Sequence, residues 1–149
     1  MKSVTSKLTD KINWFSGHMK KALRLMQENV GNVDVFIEIR DARLPYSTRN
    51  SEFDAIVKAA RKEKVIVFNK MDLCDLKKTN KVIKDYNDYG VPCMGISTQK
   101  HDDMRQMVSV LKDQYKGKYK QVGLWMMAYG MPNMGKSSIM NQIRSISDI

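Results

Sequence analysis

Apolar residues recur along this chain at two periods that alternate. Met19, Ala22, Leu23, Met26 and Val30 repeat at three- and four-residue intervals, which predicts one buried face of a helix. The stretch "VDVFIEI" (33–39) then reads as a strand. Phe53, Ile56, Val57 and Ala60 return to helical spacing, with Asn50 or Ser51 placed to cap the first turn. "KVIVF" (64–68) is a second strand, followed by a lysine-rich helix turning Leu76, Thr79, Val82, Ile83 and Tyr86 inward and closed by Gly90.

The alternation continues to the end. "VPCMGI" (91–96) is a third strand, and Met104, Met107, Val108, Leu111 and Tyr115 mark a further helix. "VGLWMMAY" (122–129) is a fourth strand, and Ile139, Met140, Ile143 and Ile146 face inward from a last helix. Strands separated by helices imply right-handed crossovers, hence an α/β fold with a parallel sheet of about four strands and helices on both faces. In such sheets ligands bind beyond the carboxyl ends of the strands.

Composition narrows this picture. The 149 residues suit one domain, in which 1–32 form a basic arm and helix and 33–149 carry the sheet. A formal net charge of +10, from 26 basic and 16 acidic residues, favours a polyanion such as RNA. Solvated lysines on helix faces account for the charge equally well. The first 32 residues are the most lopsided, with six basic positions against two acidic ones. Cys74 and Cys93 lie far apart without a C-x-x-C pairing, which reads as reduced thiols rather than a disulfide or zinc framework. No apolar run approaches the roughly 18 residues of a membrane span. The first residues have neither the apolar core of a secretory signal nor an arginine before Arg24, so no presequence is evident.

The chemistry concentrates after the strands. Gly130-Met131-Pro132-Asn133-Met134-Gly135-Lys136-Ser137 fits G-x-x-x-x-G-K-[ST] between an apolar strand and an amphipathic helix. Glycines let the backbone curl so that successive N–H groups point at phosphate oxygens, and the helix start adds its positive end. Lys136 would reach the β- and γ-phosphates, the Ser137 hydroxyl would ligate Mg²⁺, and Ser138 extends the same turn. An incidental glycine turn is the bland alternative, disfavoured by this context.

"FNKMD" (68–72) directly follows the second strand. There Asp72 can accept from both the ring N–H and the exocyclic amine of guanine, a paired contact that adenine cannot match. The aliphatic stem of Lys70 can cover the ring, Met71 fills the variable position, and Asn69 can tie this loop to the phosphate loop. Four such residues alone are equally a surface turn. "GISTQ" (95–99), after the third strand, supplies Ser97 and a backbone N–H near Thr98 for the guanine carbonyl. Together these elements point to GTP or GDP.

Their order is unusual, because Asn69–Asp72 and Ser97–Thr98 precede the phosphate loop, whereas a GTPase ordinarily begins with it. With "WFSGHM" (14–19) and "DARLPYSTRN" (41–50), the chain resembles a circularly permuted P-loop GTPase of the ribosome biogenesis GTPase A (YlqF) family, including its mitochondrial ribosome-associated members. The resemblance runs from about Asn13 to the last residue.

That resemblance implies a guanine-nucleotide-binding assembly factor of the large ribosomal subunit, contacting ribosomal RNA, with GTP hydrolysis as its reaction. It implies residence in the mitochondrion, at the matrix or inner-membrane face, with the cytoplasm as the alternative. Peripheral membrane association stays open, and no DNA partner is implied. The family's effector threonine, its D-x-x-G segment and its C-terminal helical domain would follow Ile149, so the sequence is expected to be the N-terminal part of such a protein. Hydrolysis by these residues alone is accordingly not expected. His18 matches the family's catalytic histidine, although Ser16 stands where the family has proline. Asn133 resembles the residue by which related GTPases use K⁺. Asp41, Arg43 and Arg49 are either satisfied partners of one another or an RNA-facing loop. Two rivals remain: a non-hydrolysing RNA- or ribosome-binding module with a vestigial nucleotide site, and an ATP-using P-loop enzyme, which Asn69, Lys70 and Asp72 disfavour.

Overall fold

The structure is a computed structural model that describes residues 17–115 and 123–147, apart from the side chains of His18 and Ser147. The arm before Gly17 and the expected strand residue Val122 lie outside the described residues. Four strands form one parallel sheet: β1 (Val35–Asp41), β2 (Glu63–Asn69), β3 (Cys93–Gly95) and β4 (Met126–Tyr129), in spatial order β3-β2-β1-β4. Among the described residues five helices cover it: α1 (Gly17–Asn29), α2 (Ser51–Ala59), α3 (Leu76–Asp88), α4 (His101–Tyr115) and α5 (Lys136–Ser147).

Strand alternation decides which helix goes where. Val35, Ile37, Ile39, Val65 and Val67 share one face and pack on Met104, Met107, Val108 and Leu111 of α4 and on Ile139 and Ile143 of α5. Phe36, on the other face, meets Met19 and Met26 of α1 and Phe53 and Val57 of α2. Farther along that face, Ile66 and Phe68 pack with Val82 of α3 and Cys93. The expected helices on both sides are therefore present.

Helix ends follow side-chain chemistry. Asn50 caps α2, its Oδ1 accepting from Glu52 N at 3.1 Å and Phe53 N at 3.2 Å. Asp75 caps α3, and Gly90, at φ +76°, follows its last turn. Leu76 departs from the expected inward face and is 55 % exposed. Thr79 is buried as expected and donates to the Ala42 carbonyl at 3.0 Å.

Strand boundaries move for a different reason. β1 begins two residues later than expected and runs on through Arg40 and Asp41, which register with Phe68 and Asn69 of β2. Glu38 and Arg40 are thereby carried into the layer beneath α2 and α3, both fully buried. Two isolated buried charges would be very costly, and here each satisfies the other. Arg40 Nε reaches Glu38 Oε1 at 2.8 Å and Nη2 reaches Oε2 at 2.9 Å, a parallel fork. Arg40 Nη1 also donates to the Tyr86 hydroxyl at 2.9 Å, and the guanidinium lies over the Phe68 and Tyr86 rings. Burial acts to lower the Arg40 pKa, but Glu38 and Tyr86 outweigh it and hold the guanidinium charged above its ordinary range.

Candidate functional site

Parallel pairing brings four strand-to-helix loops to one rim of the sheet: 42–50 after β1, 70–75 after β2, 96–100 after β3 and 130–135 after β4. Every site residue expected from the sequence lies on these loops or the turn of α5 they lead into, apart from Asn69, the last residue of β2, and His18.

The phosphate loop leaves β4 under tight constraint. Gly130 passes so close to the Ile39 carbonyl oxygen that any Cβ there would collide with it. Asn133 and Gly135 both take positive φ, 62° and 88°, which curls the chain back before α5. The first helical bond of α5 runs from Ile139 N to Gly135 O at 3.0 Å. The N–H groups of Lys136, Ser137 and Ser138 therefore precede any i–4 partner and open the helix toward the loop. Lys136 Nζ spans the loop, donating to Met131 O at 2.6 Å and Gly130 O at 3.1 Å. Burial lowers its pKa below the ordinary lysine value. Ser137 and Ser138 are exposed on the same turn, and Met134 is half-buried below them.

Asn69 joins three loops with one side chain. Its Nδ2 donates to the Met134 carbonyl at 3.0 Å, while its Oδ1 accepts from Lys70 N at 2.8 Å and Thr98 N at 3.3 Å. Gly135 is needed above it, because a Cβ at that position would overlap the Asn69 amide. The expected tie between Asn69 and the phosphate loop is thus present. Lys70, in the left-handed conformation at φ 66°, lays its stem across the loop mouth and donates to Asn133 O at 3.0 Å. The exposed Asp72 follows Met71 in a short 3₁₀ turn, and its Oδ1 accepts from Ser97 Oγ at 2.6 Å. Ser97 is itself held by Asp103 Oδ2, which accepts from its N–H at 2.8 Å. The Thr98 N–H, expected near a guanine carbonyl, is turned toward Asn69 here.

Asp41 and Arg43 are partners, one of the two alternatives the sequence offered, whereas other partners had no signal there. Asp41, buried at the end of β1, accepts from Lys70 Nζ at 3.2 Å and from Arg43 Nη2 at 2.7 Å. Hydrogen bonds from Arg43 hold its carboxyl well below the usual carboxylate range, helped by Lys70 and opposed by burial. Arg49 pairs with Asp54 of α2 at 2.8 Å rather than with Asp41. Gln142 of α5 reaches the Thr98 carbonyl at 3.1 Å, adding a second brace between the phosphate-loop helix and the loop after β3. His18 occupies the second position of α1, and its side chain lies outside the described residues.

The donor set suits a guanine nucleotide. Curled N–H groups and the Lys136 ammonium form a set that phosphates could occupy, and on the neighbouring loop the Asp72 carboxylate is held through Oδ1 alone. Among the described residues no group of three His, Cys, Asp or Glu side chains could hold a metal ion. A divalent cation would therefore rely on the Ser137 hydroxyl and on phosphate oxygens, a hard-oxygen set that fits Mg²⁺. Such an ion would neutralise phosphate charge.

Known proteins agree with this geometry. The family model described as RsgA GTPase matches residues 10–149. The ribosome biogenesis GTPase A of Priestia megaterium is 34 % identical over 143 residues, covering 90 % of this chain and 49 % of that protein. The mitochondrial ribosome-associated GTPase 1 of Mus musculus is 33 % identical over 141 residues, covering 91 % of this chain and 43 % of that one. The chain thus spans about half the length of these relatives or less. Among solved structures, GNP-bound YlqF from T. maritima superposes with a TM-score of 0.62 at 28 % identity, over 82 % of this chain and 47 % of its own. YjeQ from Thermotoga maritima shares the fold, with a TM-score of 0.53 at 24 % identity over 75 % of this chain and 38 % of its own.

Proposed function

The chain belongs to the RsgA GTPase family, and from that premise we propose that it binds GTP and GDP as part of an assembly factor for the large ribosomal subunit. One observation carries the nucleotide reading: the Asn69 amide links the phosphate loop, the Lys70–Asp72 turn and Thr98 in a single hydrogen-bonded unit. A unit of that kind sets base and phosphate contacts at a fixed distance, which is what discrimination between whole nucleotides requires.

In this reading Asp72 accepts from the guanine N–H and amine, with Ser97 steadying one of its oxygens. Lys70 covers the ring, Thr98 lies beside the base carbonyl, and Met71 spaces the turn. The N–H groups from Asn133 to Ser138 cradle the phosphates, Lys136 reaches the outer ones, and Ser137 ligates Mg²⁺. Lys136 gives up part of its hydration to burial, which strengthens its attraction to phosphate. Asn133 would contribute to K⁺ use, and His18 would act in hydrolysis on the ribosome.

Relatives named for mitochondrial ribosomes support a mitochondrial location, while the bacterial ones leave the cytoplasm as the alternative. The partner would be the ribosomal RNA of the large subunit, met by the basic arm and helix of 1–32 while 33–149 holds the nucleotide. No helix among the described residues is long and apolar enough to cross a membrane, and peripheral membrane association belongs to this proposal.

Calorimetry with GDP, GTP and ATP tests the proposal. GDP and GTP should bind and ATP should not, and Asp72→Asn should weaken GDP by about 10- to 100-fold while gaining xanthosine diphosphate, whose C2 oxygen needs a donor. RNA binding without any guanine-nucleotide binding would favour the vestigial-site reading. Unchanged GDP affinity in the mutant would remove Asp72 from the site.

A further inference from the structure

Beneath the phosphate loop lies a charged network that takes no part in the contacts assigned above. Asp54, in the first turn of α2, is nearly buried and accepts from three elements. Lys64 of β2 donates to its Oδ1 at 2.7 Å, Arg49 of the 42–50 loop to its Oδ2 at 2.8 Å, and the Tyr129 hydroxyl of β4 to its Oδ1 at 3.0 Å. Lys64 also reaches Glu38 Oε2 at 3.0 Å, which joins this cluster to the Arg40 fork.

Tyr129 is the last strand residue before the phosphate loop. Its backbone registers with Glu38 of β1, its ring is stacked on Phe53 at 5.4 Å and set edge-on to Phe36 at 6.3 Å, and its hydroxyl ties the end of β4 to the first turn of α2. The next residue, Gly130, is pressed on the Ile39 carbonyl. One residue farther, Met131 offers its sulfur to Asn50 Nδ2 at 3.7 Å, at the cap of the same helix. The N-terminal end of α2 therefore touches the root of the loop twice. Lys136 Nζ rests on the carbonyls of the two residues involved, Gly130 and Met131.

We propose that Tyr129 and Asp54 are positioning residues for the phosphate loop: their hydrogen bond fixes the point from which Gly130 and Met131 leave the sheet, and through them the reach of Lys136. This rests on the nucleotide reading above, and it concerns the phosphate end alone. The base-reading turn is built on β2 and β3, whose anchor Asn69 meets the loop at Met134, beyond the segment that Tyr129 governs.

Removing the Tyr129 hydroxyl should thus separate the two ends of the ligand. Tyr129→Phe keeps both ring contacts and deletes only the donor. Losing one hydrogen bond of this kind should weaken GDP by about three- to tenfold. GMP, which lacks the β-phosphate, should bind as before. Asp54→Asn should repeat the pattern, with Arg49 and Lys64 losing a charged partner as well. Calorimetry of GDP and GMP on both variants, with a denaturant midpoint for each, provides the readout. GDP affinity unchanged in Tyr129→Phe overturns the proposal. GDP and GMP falling together, in step with the midpoint, overturns it too, because that outcome describes a purely structural bond. A wild-type chain that binds neither nucleotide would instead reject the nucleotide reading.

Discussion

Asn69 and Met134 stand 65 residues apart in sequence and are joined by one 3.0 Å hydrogen bond from side-chain amide to backbone carbonyl. The same amide group accepts from Lys70 and Thr98. Asn69→Ala should therefore detach three loops at once and weaken GDP by more than tenfold, while stability falls by only about 1–3 kcal/mol for the buried partners left unpaired. Calorimetry beside a urea titration checks the split. A loss of affinity no larger than the loss of stability explains would contradict it.

Acid should weaken the fold through the carboxylate of Asp54. Burial works to raise the Asp54 pKa, but hydrogen bonds from Lys64 and Arg49 outweigh it and hold the carboxyl at about 2. A carboxylate depressed in the folded state contributes stability above its unfolded pKa and loses it as pH falls through the folded one. The denaturant midpoint should accordingly drop between about pH 4 and pH 2. In Asp54→Asn that drop should shrink, leaving the part due to Asp41, which is also depressed. An identical acid profile in the mutant would remove Asp54 from the account.

The fork between Arg40 and Glu38 makes an asymmetric prediction. Arg40→Met leaves the buried Glu38 carboxylate with Lys64 as its remaining cation and should cost about 3 kcal/mol. Arg40→Met with Glu38→Leu removes both charges and should recover much of that loss, although Lys64 then keeps only Asp54. Thermal unfolding of the single and double variants measures this, and equal destabilisation of the two would show that the fork is not the main constraint.

Lys20, Lys21 and Arg24 lie exposed along α1, where three- and four-residue spacing gathers them on one side. If they contact RNA, association should fall steeply as salt rises, and replacing all three with alanine should lower the slope of log affinity against log salt by about 2–3. Arg24 also pairs with Glu28 at 2.8 Å, so its share should be the smallest. Filter binding to a ribosomal RNA fragment over a salt series is the measurement, and an unaltered slope would remove α1 from the interface.

Among the described residues β4 pairs on one side only, with β1, and Trp125 just before it is 61 % exposed. An open strand beside apolar side chains invites pairing with another chain. A polypeptide of these 149 residues should self-associate with rising concentration, and Trp125→Lys should suppress this. Light scattering that reports a monomer at every concentration would count against it.

How much of this was legible in sequence depends on where the partners lie. Helical spacing located α4 fully, with Met104, Met107, Val108, Leu111 and Tyr115 all buried, because a helix writes its face locally. The phosphate loop and the Asn69–Asp72 turn were legible because each is a contiguous run with fixed chemistry. The length of β1 was not, since Arg40 and Asp41 are strand residues by register with β2 rather than by their own polarity. Glu38 looks like a solvent-facing position in an alternating strand and is fully buried, as its partner sits two residues on along the same face. The bonds of Asp41 to Lys70 and of Tyr129 to Asp54 span 29 and 75 residues, and nothing in either segment names the other.

Pairing of β4 with β1 has a consequence for how the chain comes into being. Val35 must find Met126 across more than half of the chain, whereas β1, β2 and β3 become neighbours through short crossovers. Contacts between distant segments close late, because the loop entropy comes first. During synthesis the turn at Asn69–Asp72 therefore exists before the loop of 130–135. Among the described strands β4 is the one that docks late and brings the 130–135 loop with it, so a ligand that bridges the loops of the rim would draw this step toward completion.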